Sequence, residues 1–191
     1  MVLPPGCARG ASILPEARAA ASVIVLRREP DGTRMLMGWR GAGHRFMPNR
    51  LVFPGGAVDA ADFAAPAMRP LPRETLAALM ETGAGAPGAD AALAHALGIA
   101  AARELEEETG LSLGAPPALD ALRYLTRAIT PHAMPIRFDA RFLTLPAACL
   151  NGRLAGSGEL ERLDWLTPAE ALAQDLASPT RRIVGLVAKL V

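Results

Sequence analysis

The feature that most constrains this 191-residue chain is the run Arg103-Glu104-Leu105-Glu106-Glu107-Glu108-Thr109-Gly110-Leu111. It reads as the last turns of a helix closed by a glycine stop. At 3.6 residues per turn, Glu104, Glu107 and Glu108 stand at i, i+3 and i+4, so three carboxylates project from one face. Like charges at those spacings repel. A hard divalent cation with oxygen ligands relieves the repulsion, and a solvated helix end tolerates it by facing water. Spacing alone leaves both readings open.

The same helix begins after Pro87-Gly88, with Asp90 as N-cap, and runs to Thr109. Leu93, Ala96, Leu97 and Ala100 form its apolar stripe, and Gly98 marks where a bend could separate the apolar and acidic parts. Earlier in the chain, the β-branched run Ala21–Leu26, the turn Asp31-Gly32 and the segment Met35–Arg40 predict an antiparallel hairpin. A loop holding His44, Arg45, Met47 and Pro48 then leads into Leu51-Val52-Phe53-Pro54-Gly55-Gly56. Pro54 ends the strand, and the two glycines permit backbone approaches that a side chain would block. That pair is either a ligand-facing turn or an ordinary tight one.

Residues 60 to about 89 are rich in Ala, Pro and Gly, with a helix predicted over 73–82 in which Leu76, Leu79 and Met80 share a face, and read as an inserted excursion. Strands follow at 124–130, 137–145 and 160–166. Pro168 opens a short helix, and Pro179 opens a terminal one with Ile183, Leu186, Val187 and Leu190 on its apolar face. The segment Pro131-His132-Ala133-Met134-Pro135 is stiff enough to shape a pocket rim, with His132 lining it. His95 falls on a helix surface. This order predicts an α/β fold, a mixed sheet with helices packed on both faces, organised as an arm over 1–18 and one domain over 19–191.

Charge excludes some functions. With 20 Lys and Arg against 19 Asp and Glu there is no basic field to hold nucleic acid. No apolar run approaches a membrane span, and Pro4-Pro5-Gly6 interrupts any signal-peptide core. Cys7 and Cys149 sit in no metal or disulfide spacing and read as reduced thiols, so the expected location is cytoplasmic. The oligomeric state is open, a homodimer included.

Taken together, the glycine pair and the acidic helix resemble the Nudix box. Arg103 to Leu111 matches its second half, Arg-Glu-U-x-Glu-Glu-x-Gly-U with U a bulky aliphatic, at every defined position. The first half departs. Gly56 and Arg103 are 47 residues apart, 33 more than the 14 of an uninterrupted box, so the expected glutamate has no contiguous counterpart. Counted from Gly56, the acidic position falls on Asp62. An insertion between turn and helix accounts for this, since long surface additions cost little closure entropy. A Nudix branch that includes the peroxisomal enzyme cleaving coenzyme A carries such an insertion. A second segment of that branch matches Leu36, Arg40, Arg45, Pro48 and Phe53-Pro54-Gly55-Gly56 in register, while Gly38, Gly41, His44 and Asn49 depart from it.

The resemblance implies a Nudix-type α/β/α sandwich and hydrolysis of the diphosphate in a small nucleotide-type substrate. Coenzyme A or acyl-coenzyme A leads, with ADP-ribose, NADH or another nucleotide as alternatives, and a non-catalytic nucleotide-sensing or protein-binding module as a third. It also implies Mg²⁺ or Mn²⁺ held by Glu104, Glu107, Glu108 and the Gly56 carbonyl. Arg103, expected on a different side of the helix from the metal face, would pair with a box glutamate, with Glu106 or a backbone contact as the alternative. Arg40 and Arg45 are candidate phosphate clamps beside Gly55 and Gly56. The general base comes either from the box helix or from a later glutamate, Glu161 or Glu159, with Glu159 the better candidate for a plain exposed strand residue.

Overall fold

The computed structural model describes residues 16–41, 49–83, 85–156 and 158–191. In chain order its elements are β1 (Arg18–Glu29), β2 (Gly32–Arg40), β3 (Leu51–Val52), β4 (Gly55–Ala57), α1 (Arg73–Met80), α2 (Ala91–Thr109), β5 (Leu111–Ser112), β6 (Arg123–Ile129), β7 (Phe138–Pro146), β8 (Asn151–Gly152), β9 (Leu160–Leu166), α3 (Pro168–Leu172) and α4 (Ser178–Val187). The main sheet has the order β3-β2-β1-β7-β6, with β4 added to β1 and β9 to β2. Only β1 and β7 run parallel, so the sheet is mixed as expected.

The long strand β1 divides one edge between two partners. Ala20–Ser22 pair with β4, and Leu26–Glu29 pair with β2. Its side chains alternate between two cores, as a strand covered on both faces must. Val23 and Val25 join a cluster with Leu97, Ala101 and Leu105 of α2, whereas Ile24 joins Ile183, Val184 and Val187 of α4. In β2, Leu36 goes to the first cluster, Met35 and Met37 to the second. The result is a helix–sheet–helix sandwich, and truncating a fully buried leucine such as Leu97 is expected to cost about 2–5 kcal/mol.

Helix α2 is the centre of one layer. Every residue from Ala96 to Ala102 is buried, which is possible because four of the seven are alanine and one is glycine. The alanine content therefore sets how closely the sheet and the segment over 60–89 approach this helix. Gly98 does not bend it. The helix runs unbroken to Thr109, and a Cβ at Gly98 would approach Leu119 Cδ1 at 3.0 Å and Leu71 Cδ2 at 3.2 Å. Its ends are as predicted: the Asp90 side chain accepts from Leu93 N at 2.7 Å, and Gly110 adopts φ 71°.

Three further expectations need correcting. His95 is not a plain surface residue, because its Nε2 lies 2.8 Å from the Ala65 carbonyl and ties the segment over 60–89 to α2. In α1, Thr75 takes the buried place beside Leu79 and donates to the Leu122 carbonyl at 2.9 Å, leaving Met80 exposed. At the C-terminus α4 stops at Val187, so Leu190 is exposed and Val184 fills the apolar face instead. Cys149 is exposed and unpaired; Cys7 lies outside the described residues. No helix of the described residues is long and apolar enough to cross a membrane.

Candidate active site

The site forms where the last turns of α2 meet β4. Glu104 and Glu108 are one helical turn apart and both face the glycine pair. Glu108 is buried, and its Oε2 accepts from Gly55 N at 2.8 Å. Gly55 has φ 150°, and a Cβ there would overlap the Ala21 carbonyl oxygen. A Cβ at Gly56 would overlap the Glu104 carboxylate. Both glycines are therefore fixed by close approach, one to β1 and one to the acidic helix.

Arg103 binds the carboxylates together. Its Nε and Nη2 form a two-pronged pair with Asp62 at 3.0 Å each, Nη1 reaches Glu104 Oε1 at 2.8 Å and Glu107 Oε2 at 3.2 Å, and Nη2 also donates to the Ala57 carbonyl at 3.0 Å. The expectation that Arg103 faces away from the acidic face is thus overturned: its long stem lets the guanidinium fold back over the next turn. Glu106 plays no part in this pairing and accepts from Ser112 Oγ at 3.1 Å. Asp62 is almost fully buried, and its Oδ2 also accepts from Asp59 N at 2.8 Å, so the short 3₁₀ turn at Ala60–Phe63 caps itself while presenting Asp62 to Arg103.

The three helix glutamates are not equivalent. Glu107 is about 100° round the helix from Glu108, is exposed, and is held by Arg103. The third carboxylate beside Glu104 and Glu108 comes from Glu159, in the loop before β9: one oxygen from each of the three lies within 4.8 Å of the others. Sequence reading gave Glu159 the weaker claim because nothing local distinguishes it. Only the pairing of β9 with β2, which brings that loop beside α2, places it here.

The electrostatics are those of a site with surplus negative charge. Burial pushes the Glu108 carboxyl up to about 7, against the pull of the Gly55 N–H and the Arg40 charge. Burial also raises Glu104, opposed by Arg103. Arg103 is held more firmly protonated, first through Asp62. Three carboxylates with an oxygen-only donor set suit a hard divalent ion such as Mg²⁺ or Mn²⁺.

A cavity of about 450 Å³ adjoins the glycines. It is lined by Gly55 and Gly56, by Ala20 and Ser22 of β1, by Arg40, and by apolar side chains including Phe53, Ile129, Phe138 and Phe142. Pro131, Met134 and Pro135 form part of its wall, as the stiffness of that segment predicts, but His132 is exposed and does not line it. Glu161 is also exposed, packed where a Cβ on Gly41 would stand, and is not in the carboxylate group. Arg45 and His44 lie outside the described residues.

Comparison with known proteins agrees with this geometry. Residues 95–186, which run from near the start of α2 through β5 to β9 and α3 into α4, match the family model of the NUDIX domain. No curated protein matches the sequence. Among solved structures, a NUDIX hydrolase from Alicyclobacillus acidocaldarius superposes with TM-score 0.66 at 24% identity, over 91% of this chain and 92% of that one. A MutT NUDIX hydrolase from Burkholderia pseudomallei does so with TM-score 0.56 at 19% identity, over 91% and 99%. The NUDIX domain of Shewanella oneidensis NrtR, complexed with ADP ribose, gives TM-score 0.59 at 12% identity, over 92% and 89%. Residues 95–186 are thus similar to the NUDIX domain, and the chain has the fold of the Nudix hydrolases across most of its length.

Proposed function

We propose that this chain is a metal-dependent Nudix diphosphatase that cleaves a nucleoside diphosphate derivative, with coenzyme A or acyl-coenzyme A as substrate and 3′,5′-ADP and (acyl-)4′-phosphopantetheine as products. The observation that carries the reading is the group Glu104, Glu108 and Glu159, set against Gly55-Gly56 and beside a cavity large enough for half of such a substrate. Glu104 and Glu108, with Glu107 and the Gly56 carbonyl alongside, would hold Mg²⁺ or Mn²⁺. A bound divalent ion neutralises phosphate charge and acidifies a water.

The chain's own groups do the rest. Glu159, exposed at the edge of the cluster, accepts the proton of the attacking water. The new P–O bond forms at one phosphorus as the anhydride P–O bond breaks, and the bridging oxygen leaves on the other phosphate. Arg40 lines the cavity and acts on Glu108 by its charge, which suits it to a phosphate oxygen. Arg103 and Asp62 keep Glu104 in place, the insertion over about 60–89 supplying Asp62. The residue match of Arg40 and Phe53-Pro54-Gly55-Gly56 favours coenzyme A over other diphosphates.

The test is a substrate panel of coenzyme A, ADP-ribose, NADH and nucleoside triphosphates with Mg²⁺ or Mn²⁺. Release of 3′,5′-ADP from coenzyme A, absent with chelator, is the expected result. Cleavage of ADP-ribose alone would reassign the substrate. Binding without cleavage of any compound would make the chain a nucleotide-sensing module.

A further inference from the structure

A second cavity, of about 900 Å³, opens at the other end of the sheet and takes no part in the reaction above. Its walls include the strand ends that finish there: Leu26–Arg28 of β1, Thr33 of β2, Thr144–Pro146 of β7 and Arg123 of β6. Ser22 of β1 pairs with Gly55 at the carboxylate site. From Ser22 to Arg28 the same strand runs on for about 20 Å, so the two sites do not overlap.

The wall of this cavity is cationic. Arg27, Arg28, Arg69 and Arg123 line it, against Asp120 as the one acidic side chain among the described residues. In a chain of net charge +1 that is a local surplus. Contacts within the protein leave much of it unused. Arg69 donates through Nε to Asp120 at 2.7 Å, and Arg123 through Nη1 to the carbonyls of Asp120 and Leu122. Arg27 pairs with Glu29 and lies over the Trp165 ring at 4.1 Å, which leaves its buried Nε without an acceptor. Arg28 is exposed and has no side-chain hydrogen bond or ion pair among the described residues. The remaining N–H groups have only water or an anion to bind.

The rest of the wall is largely apolar and includes the buried Leu113 and Leu145. Thr33 and Thr144 supply its hydroxyls, and Thr144 Oγ1 already donates to the Arg123 carbonyl at 3.4 Å. A sugar phosphate would find donors for its phosphate but few partners for its hydroxyls. A planar base beside the phosphate uses both parts of the wall: guanidinium forks match the phosphate oxygens, and the aliphatic side chains cover the base. The volume lies within the range usual for small-molecule sites.

We propose that this cavity is a second ligand site that binds a nucleoside monophosphate without a metal ion. The phosphate is held by Arg28, Arg69 and Arg123, and the base lies against Leu113 and Leu145. The proposal is independent of the diphosphatase reading, because none of these residues belongs to the carboxylate site.

The test is titration of adenosine monophosphate into the full chain in the presence of chelator, by calorimetry. It is paired with iodoacetamide labelling of Cys149, an exposed thiol on the same wall. One saturable site is expected, with the nucleotide slowing labelling of the Cys149 peptide. Arg28→Glu, at an exposed position with no partner to lose, should weaken binding roughly tenfold or more, as loss of a charge-assisted contact does. Asp120→Asn removes the opposing carboxylate and should tighten binding, a gain that a damaged fold cannot produce. Adenosine and ribose 5-phosphate, each lacking one half of the ligand, should both bind roughly tenfold more weakly or worse; either one matching the nucleotide would overturn the proposal. So would the absence of saturable binding, or binding indifferent to both substitutions. Binding that appears only with Mn²⁺ would overturn it by placing the phosphate at the carboxylates of α2.

Discussion

Two charge clusters in this molecule, one buried and one open at its edge, use the same side chains to different ends. On one, Arg127 and Arg141 share Asp139, with Arg127 also donating to the carbonyls of Gly83, Ala86 and Pro87. On the other, Arg103 is shared among Asp62, Glu104 and Glu107, with Glu108 and Glu159 close by. The first cluster spends its donors on fixed acceptors and pins the segment before α2 to β6. The second has more carboxylate than one guanidinium can satisfy, and burial drives Glu108 toward neutrality. Buried charge that closes on itself is scaffold, whereas buried charge left in surplus marks a place for a further ion.

Substitutions should separate the clusters cleanly. Glu159→Gln removes the proposed proton acceptor and is expected to lower kcat by roughly 10²–10⁴-fold with the fold intact, read by steady-state hydrolysis alongside thermal melting. Arg103→Ala leaves Glu104 without its orienting partner, and we expect roughly 10–100-fold weaker metal binding or activity, as for other groups that orient a ligand. Asp139→Ala does the reverse. It strands two buried guanidinium groups, so about 3–5 kcal/mol of stability should be lost in denaturant unfolding, with Mn²⁺ affinity of the folded fraction unchanged. Should Asp139→Ala weaken metal binding as much as Arg103→Ala does, the distinction between the clusters collapses.

A smaller effect concerns pH. Glu108 is raised from 4.5 in the unfolded chain to about 7 in the folded one. Between those values the folded protein holds more protons than the unfolded, so this group's contribution to stability is present below about 4.5 and is lost as pH rises through about 7. In chelator, the melting temperature of Glu108→Gln should fall less over that window than that of the unaltered protein. Divalent metal should reverse the trend, because binding requires the carboxylate and releases its proton.

Much of this was legible in the sequence because the signals are local. The acidic spacing, the Gly110 stop, the Asp90 cap and the two glycines are each read within a few residues, and the structure forms α2 and β4 where they predict. What escaped was set by partners distant along the chain. Glu159 reaches Glu104 only through the pairing of β9 with β2, and Arg103 folds toward the acidic face because Asp62 waits across 41 residues. Gly98 suggested a bend from its own flexibility, but its place is decided by Leu71 and Leu119. Periodicity identified the strand carrying Phe138 and Phe142 without showing that these rings wall a cavity, since that depends on β1 beside them.

The central claim is that the surplus carboxylates at the end of α2 form a divalent-metal site. Titrating Mn²⁺ into the protein, followed by electron paramagnetic resonance, tests it most directly, with Glu108→Gln and Glu106→Gln as the paired variants. The account predicts saturable binding that is lost in Glu108→Gln and kept in Glu106→Gln, whose carboxylate faces Ser112 instead. Equal binding in both variants, or none in the unaltered protein, would contradict it.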